Sequence, residues 1–61
     1  MTRLECKEET RRRLNNATRG ELERLLKEYG YYNSYKNYSS QYIIDLFSRK
    51  AYDFKKVYRV L

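Results

Sequence analysis

The sequence predicts a mainly α mini-domain: a small bundle of two to three helices carrying a long tyrosine-rich loop. Three observations lead there. Proline is absent and only two glycines occur in 61 residues, so little interrupts helical runs. Two Thr-x-x-Glu capping boxes, Thr2 with Glu5 and Thr18 with Glu21, mark helix starts. Apolar residues recur at helical spacing over residues 22–29 and again over 43–58. A chain this short buries only about 60% of its unfolded surface, so residues 1–61 make one domain with a small core, and a deep catalytic cavity would compete with that core.

The first helix is expected to run from Arg3 toward Asn15. Its apolar groups are few (Leu4, Cys6 and Leu14), and its middle is charged, with Glu8–Arg12 and Glu9–Arg13 in the favourable i,i+4 order. Residues 1–16 are therefore expected to dock loosely through Leu4 and Leu14, or to order on a partner. Asn15, Asn16 and Ala17 break the helix. The second helix has the clearest signals: Thr18 as cap, Ala17 and Leu22 as a hydrophobic staple, one stripe of Leu22, Leu25, Leu26 and Tyr29, and Gly30 as terminator. Only Gly20 counts against it.

Residues 31–39 read as a loop of Tyr, Asn and Ser, with a short hairpin turning at Asn33-Ser34 as the alternative. Ser39 or Ser40 then caps a segment with Ile43, Leu46, Phe47, Ala51, Phe54, Tyr58 and Leu61 near helical spacing. That helix is expected to continue past Lys50, kinked or restarted near Asp53. Because Tyr52, Phe54, Tyr58 and Val60 also alternate, a C-terminal strand over residues 52–61 is the competing reading. The expected core is Leu22, Leu25, Leu26, Tyr29, Ile43, Phe47 and Phe54, with Leu14, Tyr42 and Tyr58 at its edge. If the whole segment is helical, Ile44 and Val60 point at least partly outward and offer a homodimer or partner contact, with scattered surface apolar residues of no consequence as the plainer reading.

Composition sets further expectations. Histidine is absent, which removes the usual neutral-pH base and a common metal ligand, and the single cysteine, Cys6, excludes an internal disulfide. No Cys-His or Ser-His arrangement can be assembled, and the clustered carboxylates are explained by helical pairing. Cys6 reads as a small half-buried apolar residue, with a thiol activated by Lys7 as the sharper alternative. The expectation is a non-enzyme with no cofactor and no metal. The sequence shows no apolar run of bilayer-spanning length and no secretion signal, so a soluble protein of the bacterial cytoplasm, or of a phage-infected cell, is expected.

The net charge of +6 is uneven. Residues 1–17 hold five basic and three acidic groups, 18–30 three of each, 31–48 one of each, and 49–61 five basic against one acidic. The excess (+2 and +4) therefore sits at the two ends. Arg49, Lys50, Lys55, Lys56 and Arg59 form a basic cluster beside Tyr52, which suits a phosphate backbone, or else a solvated face that keeps a small domain in solution. Eight tyrosines are too many for so small a core. Tyr31, Tyr32, Tyr35 and Tyr38 are candidate partner-binding rings, while two of them lidding the core is the plainer reading.

The stretch Glu21-Leu22-Glu23-Arg24-Leu25-Leu26-Lys27-Glu28-Tyr29-Gly30-Tyr31, followed after a loop by Tyr42-Ile43-Ile44-Asp45-Leu46-Phe47-Ser48-Arg49-Lys50, resembles the helix, extended loop, helix pattern of SAP and LEM-like domains. The resemblance covers residues 18–50 and implies a small fold that binds DNA or a DNA-associated protein. The Gly and Lys usual before the second helix are replaced by Asn37, Tyr38, Ser39 and Ser40, leaving Lys36, Arg49 and Lys50 to carry a DNA contact. Together these readings lead to a small regulatory protein that binds nucleic acid through its basic C-terminal segment. The alternative is an inhibitor or adaptor that uses the tyrosine loop to block a host protein, such as one that acts on nucleic acid.

Overall fold

The computed structural model describes residues 1–33 and 35–60, the side chain of Tyr35 excepted. The expectations placed on Ser34 as part of a turn, on the Tyr35 ring and on Leu61 lie outside the described residues. Three helices follow one another: α1 (Arg3–Asn15), α2 (Arg19–Glu28) and α3 (Ser40–Phe54), with one 3-10 turn at Tyr35–Asn37 in the loop before α3. No strand occurs among the described residues, so no hairpin strand is found beside Asn33, and residues 56–60 continue α3 as irregular chain where the competing reading placed a strand.

Both capping boxes close. Thr2 Oγ1 accepts the Glu5 N–H at 3.1 Å while Thr2 N–H donates to the Glu5 carboxylate at 2.7 Å. Thr18 and Glu21 repeat the exchange at 3.2 and 2.9 Å. These bonds, the backbone N–H first, hold both carboxyls below the ordinary 4.5. Ser39 caps α3, its hydroxyl accepting the Tyr42 N–H at 3.1 Å.

Two helices end through a left-handed residue followed by a 6→1 bond, with different residues in that place. At α2, Tyr31 N–H reaches Leu26 O at 3.0 Å and Gly30 N–H reaches Lys27 O at 3.2 Å, a Schellman closure around Gly30 at φ 92°. At α3, Lys56 N–H reaches Ala51 O at 3.1 Å around Lys55, which takes the left-handed conformation at φ 50° and ψ 50°. A side chain there costs on the order of 1 kcal/mol.

α3 is the hub. It packs more extensively on α1 than on α2, and its buried arc is broad: Ile43, Ile44, Phe47, Ser48 and Ala51. α1 ends beside the start of α3, because the short connection to α2 delivers Arg19 to Ser40, and the two helices are therefore antiparallel. The Arg19 guanidinium fastens this corner. It donates to Glu23 at 3.0 Å, to Ser40 Oγ at 3.3 Å and to Tyr38 O at 2.6 Å, so the loop after Gly30 returns to the start of α2 before α3 begins. From Lys55 the chain doubles back as a strap. Tyr58 N–H donates to the buried Thr10 Oγ1 at 3.0 Å, while Val57 and Val60 pack on the core. Phe47 sits among three tyrosine rings, 5.5 Å from Tyr29, 5.4 Å from Tyr58 and 6.5 Å from Tyr31 between centroids.

Several expectations change. α1 docks through Cys6, Thr10 and Leu14, all buried at i, i+4 and i+8, whereas Leu4 lies on the far side of the helix and is exposed. Phe54 is not core. It is the last residue of α3, the chain turns away after it, and Tyr58 on the returning strap fills the space instead, leaving Phe54 69% exposed. Ile44 is buried because α3 is covered by two helices rather than one, and partly buried Val60 packs against the core, so the pair does not point outward as expected. Tyr42 is exposed, and Arg12 turns to Glu9 rather than to Glu8.

Candidate functional site

Two sets of basic residues differ in their partners. In α1, Arg12 and Arg13 both bind the Glu9 carboxylate, Arg13 at 2.8 Å, and Arg11 faces Asp45 of α3 at 3.8 Å. The Arg12 hydrogen bond, then that of Arg13, holds Glu9 below 4.5. Arg19 pairs with Glu23 at 3.0 Å. Among the described residues, Lys36, Arg49, Lys50, Lys55, Lys56 and Arg59 make no ion pair. Residues 49–61 hold only one acid, Asp53, so their charge has little to neutralise it.

What two of these lysines have instead is aromatic. Lys50 Nζ lies 5.7 Å from the centre of the Tyr31 ring. Lys56 Nζ lies 5.4 Å from Tyr29 and 5.2 Å from Tyr58, and donates to the Tyr29 hydroxyl at 3.2 Å. That hydroxyl raises the Lys56 pKa above the ordinary lysine value, so the ammonium is fully charged at neutral pH. A ring face attracts a cation through its quadrupole without cancelling its charge. Since Tyr29, Tyr31 and Tyr58 all gather on Phe47, Lys50 and Lys56 are held on rings of one aromatic cluster. Lys55 joins them as the turn residue between α3 and the strap, and Phe54 projects beside it.

The other expected contacts do not converge on this surface. Arg49 lies one position from Lys50 on α3, rotated about 100° around the helix toward solvent. Arg59 sits further along the strap, in an open cleft of about 340 Å³ shared with Arg12, Arg13, Asn16, Ala17, Glu21 and Val60. Lys36 is exposed on the 3-10 turn, which packs against α2.

The tyrosine loop is also divided. Tyr31 and Tyr38 pack against the core, Tyr38 with its centroid 4.7 Å from Tyr42. Tyr32 is 66% exposed. Among the described rings of the loop, Tyr31 and Tyr38 thus lid the core and Tyr32 is left outward.

Sequence reading missed Thr10, which anchors the strap, and Arg19, which joins three segments. Neither role carries a local signal, because Tyr58 lies 48 positions from Thr10 and Tyr38 lies 19 from Arg19, whose local partner is Glu23. The adjacency Phe54-Lys55-Lys56 was visible, but helical phase assigned its ring to the core. Among the described residues no three Cys, Asp or Glu side chains gather as around a metal ion, and no helix is long and apolar enough to cross a membrane. Comparison with protein-family models, curated proteins and solved structures gave no match.

Proposed function

We propose that this protein is a small non-enzymatic regulator that binds nucleic acid through its basic C-terminal segment, with Lys50, Lys55 and Lys56 as the principal contacts. The observation that carries this reading is the division of charge. Arg11, Arg12 and Arg13 of α1 and Arg19 at the start of α2 are held by carboxylates, while Arg49, Lys50, Lys55, Lys56 and Arg59 make no ion pair among the described residues. Phosphates replace condensed counterions at such positions, which makes affinity depend steeply on salt. Arg49, Arg59 and Lys36 lie apart from the lysines and serve as outlying electrostatic contacts. The returning loop between α2 and α3 suits the resemblance to helix, extended loop, helix domains without adding to it a contact residue.

The test is binding of labelled DNA and RNA by the wild-type chain and by a Lys55→Glu, Lys56→Glu, Arg59→Glu variant. Loss of at least about tenfold in the variant, together with weakening as salt rises, is expected. Unchanged affinity, or no salt-dependent binding by the wild type, rules the reading out.

The exposed Tyr32 favours a second reading, an inhibitor or adaptor that presents this loop to a host protein. Affinity purification with and without nuclease separates the two. A partner lost on nuclease treatment supports the first, and one retained supports the second.

A further inference from the structure

Resting on the reading of the lysine cluster as a polyanion surface, the geometry points to a narrower ligand: we infer that the site takes single-stranded nucleic acid, with one base stacked on Phe54. Large apolar rings in a domain this short are normally drawn into the core, and Phe54 has the helical phase of Phe47, two turns earlier. It is nonetheless 69% exposed, the most exposed aromatic side chain among the described residues.

Its neighbours along the chain include cations. Lys50 lies four positions before it on the same side of α3, and Lys55 and Lys56 follow it directly. The neighbouring rings have other engagements: Tyr29 and Tyr58 meet Phe47 and carry Lys56, and Tyr31 carries Lys50. Phe54 makes no ring contact with them, so its face is open to a planar group from outside.

An unpaired base has the flat π-face that such a ring accepts, and its flanking phosphates meet cations on either side. A duplex keeps its bases stacked on one another and offers a protruding ring no face without unstacking a step. Phosphate contacts alone make no distinction between the two forms, so the preference isolates the part played by Phe54.

The experiment compares fluorescence anisotropy of a labelled oligothymidylate of about 15 nucleotides with that of a duplex of similar length at one salt concentration. The proteins are wild type, Phe54→Ala, and Lys55→Gln with Lys56→Gln. The single strand is expected to bind wild type at least about tenfold more tightly than the duplex. Phe54→Ala should lower single-strand affinity about tenfold and leave duplex affinity within about twofold, while the lysine variant weakens both. Because the ring is exposed, thermal melting of Phe54→Ala should match wild type and verifies that the fold is intact. Equal binding of both forms, tighter duplex binding, or no effect of Phe54→Ala overturns the stacking inference and leaves the polyanion surface standing. No binding of either form overturns both.

Discussion

Arg11, Arg12 and Arg13 carry the same charge as Lys50, Lys55 and Lys56, and the fold treats the two groups in opposite ways. In α1, Glu9 stands one turn ahead of Arg12 and Arg13, and packing on α3 brings Asp45 to Arg11. Two carboxylates thus take up most of three positive charges, locally. At the other end the nearest neighbours of Lys50 and Lys56 are tyrosine rings, which orient an ammonium without neutralising it. A run of basic residues therefore does not by itself mark an interface. What matters is whether acids lie a helical turn away or across a packed face.

The largest expected effect tests that contrast in binding. Lys50→Glu with Lys55→Glu and Lys56→Glu should lower affinity for a single-stranded oligonucleotide by at least about 100-fold. Replacing Arg11, Arg12 and Arg13 together by Gln should change it less than about fivefold, although the net charge falls there too. Equal losses would erase the difference between the two groups.

A second change asks whether α1 serves mainly to hold the strap on which Lys55 and Lys56 ride. Thr10→Val keeps the shape but removes the buried acceptor of the Tyr58 N–H. It should cost about 1–3 kcal/mol in urea unfolding, because the donor stays buried without a partner. Binding by the folded fraction should persist.

Lys55 sharpens the comparison at one position, since it holds a backbone conformation that suits glycine while contributing charge. Lys55→Gly should raise stability by about 1 kcal/mol, measured by thermal or urea unfolding, and weaken oligonucleotide binding about threefold. A destabilised variant would mean that the side chain matters to the fold.

The smallest effect is in acid. Glu9, Glu5 and Glu21 have folded pKa values below 4.5, so the stability they add is present above that value and is lost as pH falls through their folded pKa values. The melting temperature should hold from pH 7 to about 5 and decline below about 4.5. Glu9→Gln should flatten that decline.

The helices and their caps were legible in the sequence because both depend on neighbours three or four positions away. Thr2 with Glu5, Thr18 with Glu21, and Gly30 after Tyr29 all fall in this class. The end of α3 was harder to read. Nothing local distinguishes a left-handed Lys55 from another helical turn, and once the chain reverses there, Tyr58 replaces Phe54 in the core. Ile44 was misplaced for a related reason, since its burial depends on how many helices cover α3. The basic segment was legible as charge. Its pairing with tyrosines was not, because Tyr29 and Tyr31 reach it only through tertiary packing.

The most direct test of the central claim is the salt dependence of oligonucleotide affinity in three proteins: wild type, Lys55→Gln with Lys56→Gln, and Arg12→Gln with Arg13→Gln. On a single strand each phosphate contact contributes about 0.7 to the slope of log affinity against log salt. Loss of Lys55 and Lys56 should reduce the slope by about 1.4, and loss of Arg12 and Arg13 should leave it unchanged. An unchanged slope in the lysine variant, or an equal reduction in the arginine variant, would contradict the claim that the C-terminal charge is the charge the fold leaves for a polyanion.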